Sequence, residues 1–156
     1  MNIPITKPLL DEREQELVGE VIASGWVTQG PRVQEFEQVF AAWVGAPHAV
    51  AVTSCTTALH LALLALDVGP GDEVIVPSMS FIATANAILH AGATPVFAEV
   101  DRLTHNLDAA AAESAITART KAIMPVHQIG TPVDMAAFVD IGLRHDVRIV
   151  EDAACA

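Results

Sequence analysis

The chain has 156 residues, 52% of them hydrophobic and 17% charged; that is the length of one domain and too apolar for disorder. Lys plus Arg is 8 against Asp plus Glu at 19, a net charge of -11, which excludes a broad basic face for nucleic acid and charge-driven binding to an anionic membrane. Cys55 and Cys155 are too far apart in sequence for a zinc motif or a disulfide framework, and the six histidines lack metal-ligand spacing, so no metal site is expected.

The opening MNIPITKPLLDEREQ has no basic flank and no apolar run, so a reduced, cytoplasmic protein is the expectation. Asp11 to about Ser24 reads as a helix with acids in its first turn and Leu17, Val18, Val21 and Ile22 on one side. Gly25 ends it, Trp26–Gly30 is a loop, and Pro31 opens a second helix with Val33, Phe36, Phe40 and Trp43–Val44 in one stripe. Ala49–Val52 reads as a first strand. Ala58–Leu66 follows as a helix apolar nearly all round, hence buried. Strands are then expected at Val74–Val76, Thr94–Val100, Lys121–Val126 and Arg148–Val150, with helices to about Ala91, over Asp108–Ile116 and over Asp134–Arg144. The mean hydropathy of +0.42 raises the question of a membrane span, but Pro77, Asn86, Gly92 and Pro95 break the longest uncharged stretch, Val74–Ala98, so none is expected. Five short apolar strands alternating with helices predict an α/β fold, a mostly parallel sheet with helices on both faces. Glu151-Asp152 follows the fifth strand and Ala156 the sixth residue after it, so the domain reads as incomplete at its C-terminus.

Ligands of open parallel sheets lie beyond the carboxyl ends of the strands. Four unusual segments fall there: Ser54–Thr57, Pro77–Phe81, Val126–Gly130 and Glu151–Cys155. Ser54-Cys55-Thr56-Thr57 suits phosphate at a helix N-terminus, although spacing alone favours ordinary capping. Asp152, at the end of a buried strand, needs a cation or donors; a bound cofactor and a helix cap both answer that need. Phe81 is a ring for stacking or for the core. His127 reads as a hydrogen-bonded wall residue before a catalytic one. Cys155 has no basic neighbour in sequence and reads as inert.

Taken together, GWVTQGPRVQEFEQVFAAWVG, VTSCTTALHLALLAL, VGPGDEVIVPSMSFIATANAILHAGATPVFAEVD, RTKAIMPVHQIGTPVDM and IVEDAACA resemble, in order and spacing, the DegT/StrS-type sugar aminotransferases. These are pyridoxal-phosphate enzymes of fold type I, and the resemblance runs from about Ile3 to Ala156. It implies an N-terminal helical arm over residues 1–47 and the first part of the pyridoxal-phosphate-binding large domain over residues 48–156. It implies Thr56 and Thr57 at the cofactor phosphate, Phe81 stacked on the pyridine, and Asp152 at the pyridinium nitrogen. Cys155 falls where many relatives carry Gln or His near the cofactor's oxygen, and His127 is kept as a site wall.

The implied reaction moves an amino group from an amino acid, with glutamate expected, to a keto nucleotide-sugar, in a site built across a homodimer, with the N-terminal helices and the Trp26–Gly30 loop as candidate contributors. The Schiff-base lysine of this family lies some tens of residues after the acid. Lys7 and Lys121 match neither its place nor its end of the sheet, so the 156-residue chain is expected to be an inactive fragment. Relatives with histidine at that position act as sugar dehydratases, which leaves a dehydratase-like reading open beside a non-catalytic cofactor-binding or regulatory module. A dinucleotide or flavin domain lacks its Gly-x-Gly-x-x-Gly.

Overall fold

A computed structural model describes residues 7–156; residues 1–6 of the expected arm lie outside the described residues. The chain divides into two compact units, the first ending at Ala51 and the second spanning Val52–Ala156.

The first unit holds α1 (Glu12–Ser24) and α2 (Pro31–Val44). Asp11 caps α1 by accepting from the Arg13 N–H at 2.8 Å, while its own N–H donates to Glu14 at 2.7 Å. Pro31 begins α2, and Gly25 and Gly45 end the two helices in the left-handed conformation that glycine adopts without strain. The stripe of α2 does not form a core: Phe36, Phe40 and Trp43 are exposed and only Ala41 of this helix is buried. An apolar groove of 480 Å³ between α1 and α2 is lined by Leu17, Val21, Phe36 and Val39 among others.

The strand expected over Ala49–Val52 is not formed. A strand requires a ladder partner, and here the backbone of Ala51 is claimed by side chains instead. Its N–H donates to Glu37 at 2.8 Å and its carbonyl accepts from Gln29 at 3.4 Å.

The second unit runs α3 (Cys55–Ala65), β1 (Glu73–Pro77), α4 (Ile82–His90), β2 (Thr94–Ala98), α5 (Ala109–Ser114), β3 (Thr120–Ile123), a short 3-10 turn (Gln128–Gly130), α6 (Met135–His145) and β4 (Arg148–Ile149). The four strands are parallel in the order β2-β1-β3-β4, one fewer than expected. β1 is buried along its whole length, as a central parallel strand must be. Its side chains alternate between two cores. Val74 and Val76 join Leu59 and Leu63 of α3 and Ala87 and Ile88 of α4, while Ile75 joins Ala112 of α5 and Phe138 and Ile141 of α6. Helices therefore cover both faces. Helix α3 corrects a second expectation: only Leu59 and Leu63 are buried, and Leu61 and Leu64 are 47% and 45% exposed, because one stripe alone meets α4 and the sheet. No helix among the described residues is long and apolar enough to cross a membrane.

Candidate active site

From β1 the chain passes through α4 on one face to β2, then through α5 and α6 on the other face to β3 and β4. The winding thus reverses between β1 and β3, and the carboxyl ends of the strands around such a switch point form a ligand crevice. Asp152 is carried there by the ladder. Its N–H donates to the Pro125 carbonyl at 2.9 Å and its carbonyl accepts from the His127 N–H at 3.2 Å, which extends the β3–β4 pairing past both strands.

The Asp152 side chain is buried, with the residue only 4% exposed. One carboxylate oxygen accepts from the Thr84 hydroxyl at 2.7 Å. The other accepts from the Ala154 N–H at 3.2 Å and from the Cys55 thiol at 3.8 Å. Burial, together with the neighbouring Asp152 carboxylate, raises the Cys55 pKa, so this thiol stays a protonated donor. Among the described residues no cation forms an ion pair with Asp152. A buried carboxylate held by neutral donors alone is poised to pair with a cation that binds.

Ser54 caps α3, accepting from the Thr57 N–H at 3.2 Å and lying 3.0 Å from the Thr57 hydroxyl. The Cys55 and Thr56 N–H groups ahead of it have no intrahelical acceptor, and this helix end lies beside Asp152 through Cys55. The capping and anion-binding readings of this segment thus coexist: Ser54 does the capping, while Thr56 and Thr57 are half-buried at the same end. Phe81, just before α4, is 77% exposed. It is no core residue, and its ring is free for a flat ligand. Beneath it a cavity of 190 Å³ is lined by Ser80, Thr84 and Phe97 among others.

His127 is buried, and both ring nitrogens are engaged. Nδ1 accepts from the Val133 N–H at 3.1 Å, which leaves Nε2–H to donate to Glu151 at 3.0 Å. The turn after it is strained: Ile129 is β-branched, 82% exposed and held at φ 52°. Its neighbour Gln128 fixes it, donating from the backbone to Asn106 at 3.0 Å and from the side chain to the Met79 carbonyl at 2.6 Å. Cys155 is exposed; a Cβ on Gly130 would sit 3.2 Å from its carbonyl oxygen. Lys121, the second residue of β3, sits at the opposite end of the sheet from Asp152. No metal-binding cluster occurs among the described residues.

Sequence reasoning missed Thr84, its link to Ser80 and the contact of Cys55 with Asp152. A signal for Thr84 existed. It stands with Ala87, Ile88 and Ala91 at i, i+3, i+4 and i+7, a hydroxyl inside the apolar stripe of α4. A buried hydroxyl requires a partner, and Asp152 supplies it.

Residues 8–156 match the profile of the DegT/DnrJ/EryC1/StrS aminotransferase family. The chain belongs to this family. It is 51% identical over 152 residues to the spore coat polysaccharide biosynthesis protein SpsC of Bacillus subtilis, covering 97% of this chain and 39% of that protein. It is 48% identical to GDP-perosamine synthase of Caulobacter vibrioides, covering 97% of this chain and 41% of that one. Among solved structures it resembles the PLP-form of the sugar aminotransferase Spr1654 from Streptococcus pneumoniae, with a TM-score of 0.89, 37% identity, all of this chain and 39% of that one. The chain thus spans about two fifths of the length of these relatives. Its parallel sheet with helices on both faces is the fold type I large-domain architecture.

Proposed function

We propose that this chain is part of a pyridoxal-phosphate-dependent aminotransferase that moves an amino group from an amino acid, glutamate, onto a keto nucleotide-sugar. The observation that carries the reading is Asp152, a buried carboxylate at the switch point with neutral donors and, among the described residues, no cation, beside the N-terminus of α3. A pyridinium nitrogen is the cation such an acid suits, and the helix end suits a phosphate. Pyridoxal phosphate supplies an electron sink that eases removal of the proton next to the substrate's amine. Asp152 keeps a proton on the ring nitrogen. Thr56, Thr57 and the free N–H groups of α3 hold the phosphate. Phe81 stacks on the ring and excludes water from that face. Cys155 borders the cofactor's oxygen, and His127 braces the wall.

In this reading residues 48–156 are the first part of the cofactor-binding large domain and residues 1–47 an arm. The protein is a cytoplasmic homodimer. Neither lysine of the chain fits the Schiff-base role, so that lysine lies outside these 156 residues and the isolated chain is inactive. The name of GDP-perosamine synthase supports a nucleotide-sugar substrate.

The test is Asp152→Asn in the full-length protein. Cofactor affinity, read by fluorescence titration, should fall together with amino transfer, the latter by on the order of a hundredfold or more. Wild-type affinity and rate in that variant would sink the reading, and amino transfer by the purified 156-residue chain would sink the claim about the lysine.

A further inference from the structure

The Thr84 hydroxyl carries one proton and sits between two oxygens, 2.7 Å from Asp152 and 2.8 Å from Ser80. A carboxylate can only accept, so the Thr84 O–H points to Asp152 and its oxygen accepts from the Ser80 O–H. The relay has one direction, Ser80 to Thr84 to Asp152. Thr84 is 1% exposed, so close packing and its two hydroxyl contacts hold its side chain in place. Its backbone N–H also donates to the Phe81 carbonyl at 3.1 Å. One residue therefore ties the exposed ring of Phe81 and the buried acid of Asp152 to the same first turn of α4.

We propose that Thr84 is a positioning residue for Asp152: its hydroxyl, oriented by Ser80, fixes the carboxylate that receives the cofactor's ring nitrogen and sets it in register with Phe81. This rests on the cofactor reading above. Without the hydroxyl, one oxygen of the buried acid loses its shortest hydrogen bond and the carboxylate is free to rotate. A methyl in its place preserves volume and core packing, so the two roles of Thr84 are separable.

The experiment uses the full-length protein and four variants: Thr84→Val, Thr84→Ser, Ser80→Ala and Asp152→Asn. Pyridoxal-phosphate affinity is read by fluorescence titration, the pH midpoint of the bound cofactor's absorption band by spectrophotometry, and folding by thermal melts. Thr84→Val should weaken binding about tenfold, as expected for a lost hydrogen bond to a charged group, and should move the pH midpoint. Thr84→Ser, which keeps the hydroxyl, should restore binding to within about twofold, an outcome a purely structural role does not give. Wild-type affinity and midpoint in a folded Thr84→Val protein overturn the proposal, as does an equal loss in the Val and Ser variants. Where Thr84→Val fails to fold, Ser80→Ala decides. Binding about two- to threefold weaker supports the relay, and unchanged binding overturns it. Asp152→Asn separates the two levels: if it binds as wild type, the cofactor reading itself fails, and if only it loses affinity, the relay alone does.

Discussion

The two ends of the sheet each bury one acid, and they solve the same problem differently. At the amino end Glu73 is 7% exposed and is met by a cation, with Arg119 Nε at 3.0 Å and the Thr117 hydroxyl at 2.5 Å. The Thr117 hydroxyl first, and then the Arg119 guanidinium, hold its pKa below the usual carboxylate range. At the carboxyl end Asp152 has a hydroxyl, a thiol and an N–H and, among the described residues, no cation. A buried acid supplied with its own cation is finished structure. One held in place by neutral donors is a socket. In the cofactor reading proposed above, the difference separates the end of this sheet that stabilises from the end that binds.

The contrast breaks if the carboxyl end is given the amino end's solution. Cys55→Lys puts an ammonium group beside Asp152, where it competes with a pyridinium nitrogen. In the full-length protein, cofactor affinity should fall on the order of a hundredfold while the fold persists. Titration of pyridoxal phosphate checks it, and unaltered affinity would show that Asp152 does not receive the cofactor.

The converse change tests the amino end. Glu73→Gln should lower Tm by roughly 5 °C and leave cofactor affinity unchanged. The pH dependence has a definite sign. Because the native pKa of Glu73 is depressed, its contribution is complete above the ordinary glutamate range and is lost as pH falls through the lowered native value. Urea melts of wild type and Glu73→Gln should therefore differ at neutral pH and converge in acid. Arg119 is largely exposed, so salt should trim only the ion-pair share of that difference. A gap that widens in acid contradicts the assignment.

The smallest effect concerns strain. The β-branched residue at positive φ, Ile129, lies at the carboxyl end, where strain tolerated for function is expected. Ile129→Asn places a side chain suited to that backbone at an exposed position and should stabilise the protein by about 1 kcal/mol, roughly 2–4 °C in Tm. Calorimetry decides, and a fall in Tm would mean that Ile129 earns its place by packing.

Local signals were legible in the sequence because their causes are local. Asp11, Pro31, Gly25 and Gly45 bound their helices through neighbours a few residues away. Asp108 and Asp134 begin the two helices expected from them. Asp152 stood out because a charge beyond an apolar run is visible without coordinates. The failures are long-range. Ala49–Val52 has a strand's composition, but a strand is defined by the partner beside it, and the Ala51 amide found Glu37 first. Helix α3 is apolar all round, but its neighbours, not its composition, set how many faces are covered. Thr84 takes its meaning from a residue 68 positions away, a distance no spacing rule reaches.

The strand order also orders events in time. β1 emerges from the ribosome first, and β2, β3 and β4 follow, each pairing with a strand already made. β2 takes one edge of β1, β3 the other, and β4 the new edge of β3. No strand in this sheet has to be prised open to admit a later one, so synthesis can proceed by accretion, with β1 as the seed. Among these elements the contact of Asp152 with Thr84 comes late, since Asp152 reaches Thr84 only after β4 has docked on β3. In a nascent chain these four strands would pair before the buried acid meets its hydroxyl.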